Sequence, residues 1–388
     1  MKKNYIPLII SLIMISASFA INSCSKEEED TATIAVVGIA QDPGNFKGDV
    51  TDGQIITLDA TKVYVLNGAV RVKDGGKLII PAGTRIVATA GAASYVLVEQ
   101  GGQIYANGTA LSPVTFSSSA ATPGSWGGLV ICGKAPANTG ATGSSEIANA
   151  LYGGTVSNDN SGSFTYVKIE YAGADFAAGK KFNGLSLFGV GSDTKMENIA
   201  VLNGGEDGIQ LYGGTVNISN MVSVGNDDDA FVWTDGWIGN ATNIYTKRKT
   251  DGTGNTGIKG MNNDTNADAS PRSNPTIKNV TVLGGTIGES NAIRMYSGTY
   301  ATLDNIIISN WAIGIAAESD STVTHFNGKK KITNSFFDTN VTTKISLKST
   351  AGTNVAITDT TFTVKNDAIG AGNGMSSPAW AVGWSTLQ

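Results

Sequence analysis

Cysteine, histidine, proline and basic residues are all scarce in this chain, and each shortage closes a route. Only two of the 388 residues are cysteine, Cys24 and Cys132. With Cys24 committed to the role argued below, no intrachain disulfide and no cysteine-based metal centre can be built, so packing must hold the fold. The sole histidine, His325 in Thr324-His325-Phe326-Asn327, reads as an ordinary turn or surface residue. Helix-period stretches are hard to find after residue 30, and no later apolar run approaches the roughly 20 residues of a membrane-spanning helix. Once Lys2 and Lys3 leave with the leader, 25 basic residues face 32 acidic ones, a net charge near −7. Such a surface repels nucleic acid, and no basic stripe with interleaved aromatics appears. What abounds is glycine, 49 residues against 9 prolines, with Asn, Thr and Ser around short Val/Ile runs. That composition predicts many tight turns between many short strands.

The first residues read as an export signal. Lys2 and Lys3 precede an apolar stretch from Tyr5 to Ile21 that ends at Asn22-Ser23-Cys24, the layout of a secretory leader over residues 1–23. Ile21-Asn22-Ser23-Cys24 resembles a lipobox, in which cleavage before the cysteine leaves it to carry acyl chains. The charged stretch that follows, Ser25-Lys26-Glu27-Glu28-Glu29-Asp30, cannot join a core and predicts a solvated tether over 24–30. It also resembles the acidic export signal of Bacteroidetes surface lipoproteins. The resemblance implies a lipid anchor in the outer membrane facing the medium.

Beyond the tether the sequence repeats itself. Val70-Arg71-Val72, Gly75-Gly76 and Leu78-Ile80 return as Val96-Leu97-Val98, Gly101-Gly102 and Ile104-Ala106, shifted by about 26. Asn198-Ile199-Ala200-Val201 and Asp207-Gly208-Ile209-Gln210-Leu211 return as Asn220-Met221-Val222-Ser223 and Asp229-Ala230-Phe231-Val232-Trp233, shifted by 22. Asn279-Val280-Thr281-Val282 returns as Asn305-Ile306-Ile307-Ile308. No such unit can bury its inward side chains alone, so the units must stack strand on strand. The fold expected is all-β, a single right-handed parallel β-helix over 51–388 with asparagines laddering along its corners. A β-sandwich is the alternative, since many short strands are its signature too. Residues 31–50 are expected to cap one end, and the stretch ending in Trp380 and Trp384 to cover the other. Two stretches are too long and too polar for corners, 133–163 and 247–275, and are expected to leave one face as excursions.

Three further pieces carry a family resemblance: 206–216 (Glu206-Asp207-Gly208-Ile209 onward), 228–237 (Asp228-Asp229-Ala230-Phe231 onward) and 271–281 (Pro271-Arg272-Ser273-Asn274 onward). They resemble Bacteroidetes-type surface lipoproteins of the pectin lyase-like superfamily. The resemblance implies the fold and the location, and no particular activity.

The chemistry concentrates in an acidic cluster of Glu206, Asp207, Asp227, Asp228 and Asp229, with Asp235 nearby. A coil of 22 residues puts Asp207 and Asp229 at equivalent corners about 4.8 Å apart, where like charges raise a pKa or recruit a cation. Three readings stay open. The five carboxylates could bind Ca²⁺, or they could satisfy turn amides with no ligand. They could also be catalytic, because Gly205-Glu206-Asp207-Gly208 and Asn226-Asp227-Asp228-Asp229 resemble the paired aspartate elements of polygalacturonases. That resemblance nominates Asp207, Asp228 and Asp229 as acid and base. It lacks the family's Gly-His-Gly, and its Arg-Ile-Lys is only shadowed by Ile293-Arg294-Met295. A lyase would need an arginine base, for which Arg294 or Arg272 is available.

Tyr212, Trp233, Asp235, Trp237 and Arg272 are the candidates for contacting a ligand, since a sugar surface needs flat aromatic faces flanked by polar groups. Lys247-Arg248-Lys249 has the sign to suit an acidic glycan. The leading expectation is a surface-anchored protein that binds an extracellular ligand, a glycan. The alternatives are a polysaccharide-cleaving enzyme, and a structural adhesin or an accessory to an outer-membrane transporter.

Overall fold

The computed structural model describes residues 38–285 and 287–388. The leader, Cys24, the tether and residues 31–37 of the expected cap lie outside the described residues.

From Phe46 onward the chain winds in coils, and one middle coil shows the rule. The strand Lys195–Leu202 bends at Asn198, so that 195–197 join a first sheet and 199–202 a second. After a turn, Ile209–Tyr212 joins a third sheet, and Ile218 opens the next coil. Pairing is parallel, with Met196 beside Ile218, Ile199 beside Met221 and Ile209 beside Phe231. Repeated along the chain, this builds a parallel network of 24 strands. The fold is the all-β parallel β-helix expected from the repeats.

Inward positions stack like on like. In the third sheet Leu185, Ile209, Phe231, Ile258, Ile293, Ile315 and Ile345 succeed one another. All are buried, and each contributes roughly 1.5–3 kcal/mol of hydrophobic stabilisation. The next inward row runs from Leu211 to Trp233 to Gly260. A Cβ on Gly260 would lie 2.1 Å from the Trp233 ring, so the largest inward side chain faces a residue with none.

The bend between the first and second sheets is made by asparagine. Asn198, Asn220, Asn243, Asn279 and Asn305 hold φ of 56°, 57°, 60°, 58° and 56°, a left-handed conformation that asparagine tolerates. Each amide donates to the one before it, over 3.0, 2.8, 2.9 and 2.9 Å. The corner is thus a continuous chain of side-chain hydrogen bonds.

Several peripheral segments differ from expectation. The first coil begins at Phe46, which pairs with Leu66, so part of the expected cap is already solenoid. The C-terminal stretch does not cover the open end. Ala371, Ala381 and Trp384 lie against Ala200, Leu202, Val222 and Tyr245 on the outer face of the second sheet, and Trp384 meets Tyr166 edge-on at 5.4 Å. The physical reason is visible in Ile199-Ala200-Val201-Leu202, an unbroken apolar run that needs cover on both faces. Residues 247–275 are not one excursion, because Ile258–Met261 returns to pair in the third sheet and leaves two loops, 248–257 and 262–275. The 133–163 stretch does leave the coils, carrying a small hairpin (Gly143–Ser144 with Leu151–Tyr152). A second hairpin (Asp175–Ala177 with Lys180–Lys181) went unforeseen. So did the α-helix Asp320–Phe326, whose Val323 and Phe326 reach the core.

The asparagine ladder makes a graded prediction for Asn220, bonded on both sides. Asn220→Ala loses both bonds and keeps the left-handed backbone, costing about 2–4 kcal/mol in urea unfolding. Asn220→Gly loses the bonds alone and costs less. Equal losses would mean that backbone strain contributes nothing at this bend.

Candidate functional site

The turns joining the second and third sheets carry the acidic residues. Their spacing follows the coil: Asn183-Gly184-Leu185, Asp207-Gly208-Ile209, Asp229-Ala230-Phe231 and Thr256-Gly257-Ile258 occupy equivalent places on four successive coils. Asp207 Oδ1 accepts from the backbone N–H of Asp229 at 3.0 Å, and Asp229 Oδ1 from the N–H of Thr256 at 2.8 Å. Each aspartate therefore caps the turn of the coil that follows it.

The remaining oxygens have different fates. Asp229 Oδ2 is buried 2.8 Å from Lys259 Nζ, an ion pair whose angles fall outside those of a good hydrogen bond. Asp227 pairs with Lys249. Glu206, Asp207 and Asp228 instead converge, with one oxygen of each lying within 4.8 Å of the others. Burial, and then the charge of Asp228, pushes the Glu206 carboxyl up to about 7. Burial pushes Asp207 well above the usual carboxylate range, helped by Asp229. Burial also raises Asp229, with Lys259 opposing.

Of the five carboxylates nominated as a metal cluster, the structure brings these three together and sends Asp227 and Asp229 into lysine pairs. Crowded oxygens of this kind suit a shared proton or a hard cation such as Ca²⁺. Glu206, Asp207 and Asp228 are the residues that would hold it. Their separation is shorter than the roughly 6.5–9.5 Å at which an inverting hydrolase keeps its two carboxyl groups to admit water.

Beside this corner a cavity of about 360 Å³ opens on the outer face of the third sheet. Its floor is aromatic. Phe188 and Tyr212 stack at 4.0 Å and 8°, and Tyr152 lies 5.0 Å from Phe188. Gln210 Oε1 accepts from Tyr212 Oη at 2.6 Å and from Asn183 Nδ2 at 2.9 Å, which fixes a polar edge. The two hairpins form the walls through Ser144, Glu146, Phe176 and Lys181. Lys180 at one tip pairs with Glu146 near the other at 3.1 Å. Asp235 also lines the cavity, accepting from Thr234 Oγ1 at 3.2 Å and Tyr152 Oη at 3.4 Å. Burial pushes it up to about 6.

Other nominated residues lie elsewhere. Trp233 and Trp237 are fully buried, with their indole N–H groups donating to Thr299 Oγ1 and the Val216 carbonyl. Neither presents a face to a ligand, because both point into the column. Arg272 stacks on Tyr300 at 4.8 Å and donates to the Ala267 and Gly298 carbonyls, holding the 262–275 loop. Arg294 pairs with Glu318 at 2.8 Å, so as a base it would first have to leave a carboxylate. Lys247-Arg248-Lys249 is not a basic patch, since Arg248 is buried beneath backbone carbonyls and Lys249 is paired. His325 stacks on Tyr300 at 4.1 Å as part of the helix's docking.

Asn183, Ser186, Gln210 and Phe188 went unnoticed in the sequence. Their signal was present: Asn183-Gly184-Leu185-Ser186-Leu187 is the coil before Asp207-Gly208-Ile209-Gln210-Leu211, so Ser186 and Gln210 are one outward row.

Against known proteins, a family model described as "Pectate-lyase like beta helix domain" matches residues 48–385. No curated protein matches the chain. Among solved structures, the crystal structure of the Dettilon tailspike protein (gp208) is similar at 11% identity, covering 76% of this chain and 61% of that chain. The chain thus spans less than two thirds of that protein, and at a TM-score of 0.23 the likeness carries no weight for function.

The raised carboxyls set a direction for pH dependence. Between the ordinary value of 4.5 and about 7, folded Glu206 keeps a proton that the unfolded chain has released. Its stabilisation is therefore complete below 4.5 and lost as pH rises through 7. Asp235 acts likewise between 3.8 and about 6. With EDTA present to exclude cations, the Tm is expected to fall from pH 4.5 to 7, and Glu206→Gln to flatten the upper part of that slope. A Tm independent of this substitution would contradict the assignment.

Proposed function

This chain belongs to the pectate-lyase-like β-helix family, and from that premise we propose that it binds a glycan in the cleft over Phe188 and Tyr212. The observation that carries the reading is the cleft itself. An aromatic lining at Tyr152, Phe188 and Tyr212, a fixed amide edge at Asn183 and Gln210, and two walls enclose about 360 Å³. Sugar rings present apolar C–H faces rimmed by hydroxyls, which apolar aromatic surface beside amides complements. The leader ending at Cys24 and the acidic tether support the second half of the proposal, a lipid anchor that holds the solenoid at the outer face of the outer membrane.

One observation favours a second reading, polysaccharide cleavage. Glu206, held near 7 beside Asp228, has the protonation a general acid requires at neutral pH.

Binding is read by calorimetry on soluble residues 31–388 against a panel of oligosaccharides. Gln210→Ala and Tyr212→Ala are each expected to weaken binding about tenfold, near 1.4 kcal/mol, with the far-UV spectrum unchanged. Unaltered affinity in both variants would remove the cleft from consideration. In the same samples, reducing ends that accumulate with wild type and stop with Asp228→Asn would establish the second reading.

Anchorage has its own test in cells. Cys24→Ala is expected to shift the protein from the membrane fraction to soluble fractions and to abolish labelling by a fatty-acid probe. Unchanged membrane association would exclude a lipid anchor at Cys24.

A further inference from the structure

The cleft holds more negative charge than its own cations neutralise, and we propose that its ligand is a glycan carrying protonated amines, whose ammonium groups face Asp235 and Asp264. This rests on the glycan-binding reading above and names the chemical class within it. The cations near the cavity are already engaged. Lys181 lies 3.6 Å from Glu206, Lys180 pairs with Glu146 at 3.1 Å, and Lys259 with Asp229 at 2.8 Å. Two lining carboxylates have no such partner. Asp235 accepts only from the hydroxyls of Thr234 and Tyr152, and Asp264 has no ion pair or side-chain hydrogen bond among the described residues. Asp235 is also half-buried, where an unpaired charge is costlier than in open water.

The rest of the lining points to a sugar rather than a bare cation. Tyr152, Phe188 and Tyr212 adjoin one another in a continuous set of rings that gives the cavity apolar surface. The cavity is far larger than a bare metal ion, and five of its fifteen lining residues are aromatic. A polyuronate would set its own carboxylates against Asp235 and Asp264, neither of which has a cation paired to it. An amino sugar satisfies both features at once, with its ring on the aromatic floor and its ammonium beside the carboxylates. Asp264 also lines a neighbouring cavity of about 580 Å³.

The test compares four oligomers of equal length near pH 7: glucosamine, its N-trimethylated form with permanent charge, N-acetylglucosamine and galacturonate. Both cationic oligomers are expected to bind about tenfold tighter than the N-acetylated one, and galacturonate most weakly. Asp235→Asn and Asp264→Asn should each shrink that preference several-fold. Tyr212→Ala should weaken all binders alike. Binding of N-acetylglucosamine or galacturonate as tight as that of the cationic oligomers overturns the charge inference and leaves glycan binding standing. So does a preference that survives both aspartate substitutions. If none of these oligomers binds, nor any other glycan in the wider panel, the glycan reading itself falls.

Discussion

Parallel stacking of one coil on the next, about 4.8 Å apart, is the constraint on which the rest of this protein depends. It sets each residue beside its equivalent, so the value of a position depends on how well that residue tolerates its own kind. Isoleucine on isoleucine builds a dry core at no electrostatic cost. Asparagine on asparagine is better still, because the amide is both donor and acceptor, and five of them close a corner as a single hydrogen-bonded chain. Aspartate on aspartate is the costly case. Here the protein departs from strict repetition, placing Asn183 and Thr256 at the ends of a series whose middle is Asp207 and Asp229.

The handling of those two aspartates localises the reactive electrostatics. Each gives one oxygen to the turn above, which leaves the second oxygen to be neutralised. For Asp229 the outward row of the third sheet supplies Lys259. For Asp207 the equivalent outward position on the next coil is Val232, and no cation replaces it. Glu206 and Asp228 lie close by, so burial and mutual repulsion hold protons on this corner near neutral pH. The corner is therefore the part of the solenoid most responsive to a proton, a cation or a ligand.

A β-helix gives long even faces, and a bounded site has to be added to it. The two hairpins do this by rising on either side of the third sheet. The longer excursion is fastened far along the chain: Asn138 donates to Asn262 Oδ1 at 3.0 Å and to the Pro271 carbonyl at 3.1 Å, and accepts from Asn263 at 3.1 Å. One wall of the cleft is thereby tied to the 262–275 loop. The asparagines in these polar stretches serve as rivets as well as turn formers. The same logic places the C-terminal strap on the second sheet, whose outer residues are apolar at those coils and need a cover.

Sequence alone determined the architecture. Shifts of 22 and 26, Val/Ile alternation and recurring asparagines admit few folds but a stacked solenoid, because a short strand unit with one apolar edge has no other way to bury it. It also marked the acidic cluster of Glu206, Asp207, Asp227, Asp228 and Asp229, since equal spacing along the chain becomes adjacency across coils, while the structure drew Glu206, Asp207 and Asp228 together. Tertiary structure alone decided which residues share a space without sharing a repeat. Trp233 and Trp237 read as candidate ligand platforms, but strand register turns Trp233 inward opposite Gly260, and Trp237 is buried just beyond that strand. Tyr152 meets Phe188 because a hairpin folds back over the third sheet, and Trp384 meets Tyr166 because a strap runs back along the helix. A local repeat constrains neighbours one coil apart. Contacts made by insertions depend on where the chain returns, and that is set by the packing of the whole column.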